Sequence, residues 1–397
     1  MRNKLKVAVF NTQPPHLYFG GVERRIVEIA KRLTTVADTE VYSGTKRGFS
    51  EVTEFDSTKF VPCFSTDTLF PLDNWVFNRT ISKMIDTIKA HVYEAHTVSG
   101  YKFLKTLKKS EISKPFIQTI HGVLADEYIQ SFKSESPSVR MKLSRVFMKY
   151  LAGIEEEAAR EATMIVTVSS YSAKKTIQLY DIEESKIRIV PNGVDTQRFK
   201  PAEGCQELKQ KIDGNSKNVI LFVGSLIPRK GLQFLIEAAK QVLKENRETK
   251  FVVVGDGPLK NYLISYSKKQ GVLDKFAFLG NVPEAMLHQL YNCADIFVSP
   301  SIQEGQGITL LEAQATAKPV VAFNVSAINE VVKNNETGLL VEPNSLELAK
   351  ALSYLLSNPS LREKMGRYGR KFVNENFSWT ILAQRMFHVY SEVSEGI

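Results

Sequence analysis

Apolar positions along this chain alternate between two spacings. Leu5–Asn11 is a short β-rich run of strand length, and Val22, Ile26, Ile29 and Leu33 then recur at helical spacing over Val22–Leu33. Further strands are predicted at Val92–Ala95, Phe116–Ile120, Met164–Val168 and Ile187–Val190. The rhythm restarts in the second half: strand Val219–Val223, helix Leu232–Val242, strand Phe251–Val254, helix Leu259–Lys269, strand Lys275–Leu279, helix Glu284–Asn292, strand Ile296–Ser299, helix Ile308–Ala315 and strand Val320–Phe323. Strands separated by helices imply parallel sheets covered on both faces, and two such sets imply two doubly wound α/β domains. Pro191 to about Asn218, rich in Pro, Gly, Asn and charge, is the predicted join.

Composition narrows the class. With 397 residues, 43% hydrophobic and 24% charged, the chain has the profile of a globular protein too long for one ordinary core. No apolar run approaches the roughly 20 residues of a membrane helix. Met1 to Lys6 leads straight into a strand without a signal-peptide pattern, and Cys63, Cys205 and Cys293 are scattered. A disulfide framework or zinc site is therefore not expected, and the expected location is cytoplasmic. The net charge of +9 lies mostly in the first 200 residues. It suits an anionic partner or a plain solvated surface, and no nucleic-acid-binding pattern accompanies it.

In open parallel sheets ligands bind where strands end, so the loops after strands carry the candidate chemistry. Gly20-Gly21 opens the first helix, where free N–H groups attract phosphate, although neither GxGxxG nor a P-loop is present. After Val219–Val223 comes Gly-Ser-Leu-Ile-Pro-Arg-Lys-Gly, whose Arg229 and Lys230 can clamp a diphosphate without a metal. After Ile296–Ser299, the loop from Ser299 to Gly307 leads into a helix, with Glu304 in the loop, turned toward a ligand, and Glu312 in the second helical turn. Between them the N–H groups of Ile308, Thr309 and Leu310, following Gly307, form an expected anion site. Two carboxylates flanking an anion site suit a ligand with hydroxyls at both ends and phosphate between: a sugar, a diphosphate and a ribose.

These motifs, in order along the chain, resemble family 4 of the retaining glycosyltransferases. They are GGVE at Gly20–Glu23, HG at His121-Gly122, PNGVD at Pro191–Asp195, PRKG at Pro228–Gly231, GDGP at Gly255–Pro258, EGxGxxxxE from Glu304 to Glu312 and TGLLVEP at Thr337–Pro343. NFSW at Asn376–Trp379 resembles the start of that family's last helix, which returns to the first domain. The resemblance implies the GT-B fold, with two facing Rossmann-like domains and a cleft between them. Residues 1–190 with 377–397 would form the acceptor-side domain, and 191–376 the nucleotide-sugar domain.

The resemblance also implies roles. Glu304 would meet hydroxyls of the transferred sugar, Glu312 the ribose, and Lys230 with Arg229 the leaving diphosphate, helped by backbone at Gly20-Gly21 and near Thr309. His121 would lie at the sugar's reacting face. Two places depart from the family's habit: Ser225 where arginine is frequent, and Gln306 where an aromatic residue is common.

The expected activity is metal-independent, retaining hexosyl transfer in glycan biosynthesis, from a UDP- or GDP-type nucleotide sugar to a saccharide or lipid-linked acceptor. No cofactor is expected. A sugar-nucleotide epimerase of the same fold and a non-catalytic binding homologue are the alternatives. Lys133 to Lys149 is basic, with Val139, Leu143, Val146 and Phe147 at helical spacing, so an anionic membrane surface is a candidate partner and peripheral membrane association a candidate location.

Overall fold

The computed structural model describes residues 4–18, 20–66, 71–133, 139–202, 204, 208 and 217–395, without the side chains of 133 and 139–144. The chain divides into two compact units, one formed by Met1–Asn192 with Trp379–Ile397, the other by Gly193–Ser378.

The strands of the first unit are β1 (Leu5–Phe10), β2 (Ala37–Gly44), β3 (Thr53–Phe55), β4 (Thr58–Cys63), β5 (Val92–His96), β6 (Phe116–Ile120), β7 (Met164–Thr167) and β8 (Ile187–Ile189). Its helices are α1 (Gly21–Leu33), α2 (Leu72–Ser82), α3 (Tyr101–Lys109), α4 (Leu124–Gln130), α5 (Val139–Glu161) and α6 (Ser170–Tyr180). In the second unit the strands are β9 (Asn218–Val223), β10 (Thr249–Val254), β11 (Phe276–Gly280), β12 (Ile296–Ser299), β13 (Val320–Phe323) and β14 (Gly338–Val341). Its helices are α7 (Leu232–Glu245), α8 (Lys260–Lys269), α9 (Glu284–Cys293), α10 (Ile308–Ala315), α11 (Ile328–Val331), α12 (Ser345–Ser357) and α13 (Pro359–Asn376). The last helix, α14 (Trp379–Glu395), belongs to the first unit.

Among the described residues the sheets run β3-β4-β2-β1-β5-β6-β7-β8 and β11-β10-β9-β12-β13-β14. All pairings are parallel except β3 with β4. These are the two doubly wound domains of the expected GT-B class. Each order reverses once, between β1 and β5 and between β9 and β12, and ligands of such sheets bind where the order reverses. The loops carrying Lys230 and Glu304 follow β9 and β12, so they flank the second reversal.

One face of the first sheet is covered by α1 and α14, whose Ile26, Ile29, Trp379, Leu382, Met386, Val389 and Val393 are buried with Val7, Val9, Val92 and Ile117. Each large apolar side chain buried there is worth roughly 1.5–3 kcal/mol, which holds the returning helix on the first unit. The chain passes from the first unit to the second between Asn192 and Gly193. Residues after that point already belong to the second core: Val194 and Phe199 are buried with Tyr291, and the Val194 N–H donates to the Phe377 carbonyl over 2.8 Å.

The two described cysteines with free thiols, Cys63 and Cys293, are buried, and Cys205 lies outside the described residues. Among the described residues no helix is long and apolar enough to cross a membrane.

Candidate active site

The basic turn is a single 3-10 turn, Pro228–Lys230, that Gly231 ends at φ +63°. A Cβ at Gly231 would stand 2.0 Å from the Pro300 carbonyl oxygen, so glycine is what lets this turn lie against the loop after β12. The Ile302 N–H then donates to the Arg229 carbonyl over 2.9 Å and ties the two loops together.

That contact delivers both cations to one carboxylate. Lys230 Nζ pairs with Glu304 Oε1, Arg229 Nη1 lies 3.4 Å from Oε2, and Ser301 Oγ donates to Oε1 over 2.9 Å. Burial pushes the Glu304 carboxyl up, but Lys230 and Arg229 beside it, with the hydrogen bonds from Lys230 and Ser301, hold it below the ordinary glutamate value. Glu304, expected in the loop and turned toward a ligand, is 5% exposed, because a carboxylate between two cations is best satisfied inside the loop pair.

Gly307, at φ +89°, opens α10, and a Cβ there would meet Leu310 Cδ1 at 2.7 Å. Its carbonyl turns back and accepts the Leu310 N–H over 3.1 Å, so that N–H is engaged within the chain rather than open for an anion as expected. Ile308 and Thr309 are partly exposed at the helix start, whereas Leu310 is a core residue. Glu312, one turn on, is 2% exposed and accepts the Tyr291 hydroxyl over 2.7 Å. Sequence reasoning missed Tyr291, since its partner lies on another helix. Of the two departures from the family pattern, Ser225 is exposed and Gln306 is buried.

The remaining expected residues belong to the first unit. Gly20 caps α1 in an extended conformation, and a Cβ there would lie 2.1 Å from Glu23 Oε2. The Glu23 carboxylate folds back onto the start of α1, accepting its own backbone N–H, with Asn11 Nδ2 at 3.5 Å from Oε1. The carboxylate lies beside Gly20, the residue before α1, where the glycine leaves room for it. Burial pushes the Glu23 carboxyl up.

His121 follows β6 immediately and is partly exposed. Its Nε2 lies 2.9 Å from Nδ1 of the buried His96, at the end of β5. Burial, then His96 and Arg25, hold the His121 pKa well below the ordinary histidine value. Neither His96 nor its neighbour Glu94 stands out in the sequence, because Val92–Ala95 reads simply as a buried strand.

The basic segment is described in part. The side chains of Lys133, Val139, Arg140, Lys142 and Leu143 lie outside the described residues. Val146 and Phe147, expected on the apolar stripe, are 66% and 40% exposed, and Tyr150 beside them is 58% exposed.

Residues 19–198 match the family described as Glycosyltransferase Family 4, and residues 206–372 match Glycosyl transferases group 1. An uncharacterized glycosyltransferase of Methanocaldococcus jannaschii is 29% identical over 315 residues, covering 78% of this chain and 76% of that protein. The Escherichia coli UDP-Gal:alpha-D-GlcNAc-diphosphoundecaprenol alpha-1,3-galactosyltransferase is 31% identical over 58% of this chain and 57% of that enzyme. Among solved structures, sucrose-phosphate synthase from Thermosynechococcus elongatus shares the fold with a TM-score of 0.84 at 18% identity, covering 99% of this chain and 100% of that one.

Proposed function

We propose that this chain, which belongs to family 4 of the glycosyltransferases, is a retaining, metal-independent hexosyltransferase acting on a nucleotide-diphosphate sugar. The observation that carries the reading is the cluster of Arg229, Lys230 and Glu304 at the reversal of the second sheet. Two cations held by one buried carboxylate are oriented before any ligand arrives. A diphosphate brings its own negative charge to them, and the leaving group is stabilised by charges already in place rather than by a metal. Glu304 then presents a carboxylate that stays ionised and can accept hydrogen bonds from sugar hydroxyls. Glu312, oriented by Tyr291, is the matching acceptor for a ribose diol.

In this reading the bond from the anomeric carbon to the phosphate oxygen breaks as the bond to the acceptor oxygen forms on the same face. The acceptor's hydroxyl proton passes to the leaving phosphate oxygen, so no protein nucleophile is required. The role of His121 toward the sugar is proposed on the family pattern of its HG motif. The acceptor is a saccharide or a lipid-linked saccharide. The E. coli relative's name carries a diphosphoundecaprenol acceptor, and a Mycobacterium tuberculosis relative, 31% identical over 57% of this chain, is named for phosphatidylinositol monomannoside. One of these names specifies UDP-Gal and the other GDP-mannose, so the test must cover both nucleotides.

Thermal unfolding against a panel of UDP- and GDP-sugars is that test. A donor at 100 times its Kd should add about 2.7 kcal/mol of stability, and the stabilising sugar should then be transferred. Failure of every nucleotide sugar to stabilise or to be consumed would refute the reading.

A further inference from the structure

His121 is one end of a buried chain of polar groups whose other members the proposed function does not use. Glu94 and His96 sit two residues apart on β5, so they share a face with Val92, the face that α1 and α14 cover. Glu94 Oε1 accepts the Thr119 hydroxyl from β6 over 2.6 Å and lies 3.4 Å from His96 Nε2. Oε2 accepts the Tyr390 hydroxyl from α14. His96 Nδ1 then lies 2.9 Å from His121 Nε2. Glu94 and His96 are each 2% exposed.

The charge in this pocket is supplied by Arg25 of α1. Its guanidinium is fully buried and donates to the Val190 carbonyl over 2.8 Å, to the Pro191 carbonyl over 2.9 Å and to Asn192 Oδ1 over 3.3 Å. A buried cation of that kind needs a counter-charge: burial pushes the Glu94 carboxyl up, Arg25 and the hydroxyls of Thr119 and Tyr390 act against that rise, and both Glu94 oxygens accept hydrogen bonds as a carboxylate does. Burial, then Arg25, depress the His96 pKa well below the ordinary value, so the ring is neutral.

A neutral imidazole has one donor nitrogen and one acceptor nitrogen. His96 Nε2 faces a carboxylate oxygen, which accepts only, so the proton of His96 stands on Nε2. Its Nδ1 is then a lone pair, which requires His121 to carry its own proton on Nε2.

We infer that Glu94 and His96 are positioning residues that fix the tautomer of His121, leaving its Nδ1 as a hydrogen-bond acceptor for a hydroxyl group of the ligand. The role of His121 toward the sugar rests on the function proposed above; the tautomer does not. The orientation is set in part by the last helix, because Tyr390 holds the carboxylate that begins the chain. A ring fixed in this way receives an O–H and repels an oxyanion, so His121 serves a sugar or acceptor hydroxyl and the phosphates are left to Lys230 and Arg229.

The test is 15N NMR of the ligand-free protein with ring-labelled histidines, followed by steady-state transfer kinetics. In the wild type the His121 Nε2 should be protonated and its Nδ1 pyridine-like, with further protonation only well below the pH at which an ordinary histidine takes it up. His96→Phe keeps the ring volume and removes both contacts; it should lose the single tautomer, raise the His121 pKa and lower kcat/KM roughly tenfold, the worth of one hydrogen bond. His96→Gln can donate from its amide nitrogen to Glu94 and accept from His121 through its amide oxygen, so it should restore both the tautomer and the rate. A proton on His121 Nδ1 in the wild type, or a single unchanged tautomer in His96→Phe, would overturn the inference whatever the activity. The expected NMR result with unchanged kinetics in His96→Phe would support the relay and remove His121 from the catalytic assignment instead.

Discussion

Lys230 and Glu304 form an ion pair across 74 residues of sequence, between the loops that follow β9 and β12. Their meeting depends on Gly231, because any side chain there would strike Pro300 and force the basic turn away. The pair makes the candidate site part of the fold's own charge balance.

Replacing Glu304 therefore acts on stability as well as on chemistry. Glu304→Ala leaves Lys230 and Arg229 without their carboxylate and removes the acceptor for Ser301. Both cations are partly exposed and can turn toward water, which limits the cost to about 1–3 kcal/mol. Transfer should be abolished and the urea midpoint lowered. Glu304→Gln should lose activity with a smaller stability loss, and wild-type rates in both variants would exclude Glu304 from the site.

For the nucleotide end, Glu312→Ala should weaken donor binding by about 1.5–3 kcal/mol, the worth of a hydrogen bond to a charged group, with a smaller effect on kcat. Tyr291→Phe should reproduce part of that loss, since it frees the carboxylate from its fixed orientation. Calorimetry with the nucleoside diphosphate alone separates this from effects on the sugar.

Lys230→Ala should cost about 2–4 kcal/mol in the transition state, the scale of removing one preorganised electrostatic donor. The wild-type enzyme should keep its rate in EDTA. Activity lost in EDTA and regained with manganese would show that a metal, not the lysine, carries the diphosphate charge.

Acid should destabilise the first unit through its histidines. His96 is neutral in the folded chain, while in the unfolded chain it titrates near its ordinary value of 6.5. Below that pH the unfolded state binds more protons, so stability is complete above about pH 6.5 and falls as pH drops, by about 1.4 kcal/mol per pH unit for such a residue. Glu155, pushed up to about 7 by burial, has the opposite slope between its ordinary 4.5 and 7. Comparing urea midpoints of wild type and His96→Phe across pH 5–8 isolates the histidine contribution, which should be shallower in the variant.

The exposed Val146, Phe147 and Tyr150 beside Lys149 should let the protein float with acidic vesicles at low salt and not with neutral ones. Val146→Asp with Phe147→Asp should abolish flotation. Failure of the wild type to bind either vesicle would leave a soluble acceptor as the one to pursue.

Much of this was legible along the chain. Strands β6, β12 and β13 and helix α10 have the bounds that apolar runs and flanking Gly and Pro predict, because a parallel strand buried on both faces is written as a local apolar segment. The β2–β4 edge was not read: β2 carries Asp38 and Glu40 on its outer positions, and β3 is fully exposed. Only the outermost strand β3 is exposed throughout; in β2 and β4 the buried Val41 and Phe60 stand among polar neighbours, which breaks the continuous apolar run that marks the other strands.

The loop motifs likewise identified which residues carry the chemistry, since glycine, cations and carboxylates at strand ends are local properties of sequence. Their state was decided by tertiary structure. Glu304 lies between two cations because α7 starts against the Pro300 loop, and Glu23 folds back onto its own N–H beside Gly20. Leu310 spends its N–H on Gly307, and His121 is held by a histidine and a carboxylate from β5, with Tyr390 reaching them from α14. Sequence specifies donors, acceptors and periodicity one segment at a time. Ionisation, tautomer and orientation depend on burial and on partners tens to hundreds of residues away, and only the packed fold supplies those.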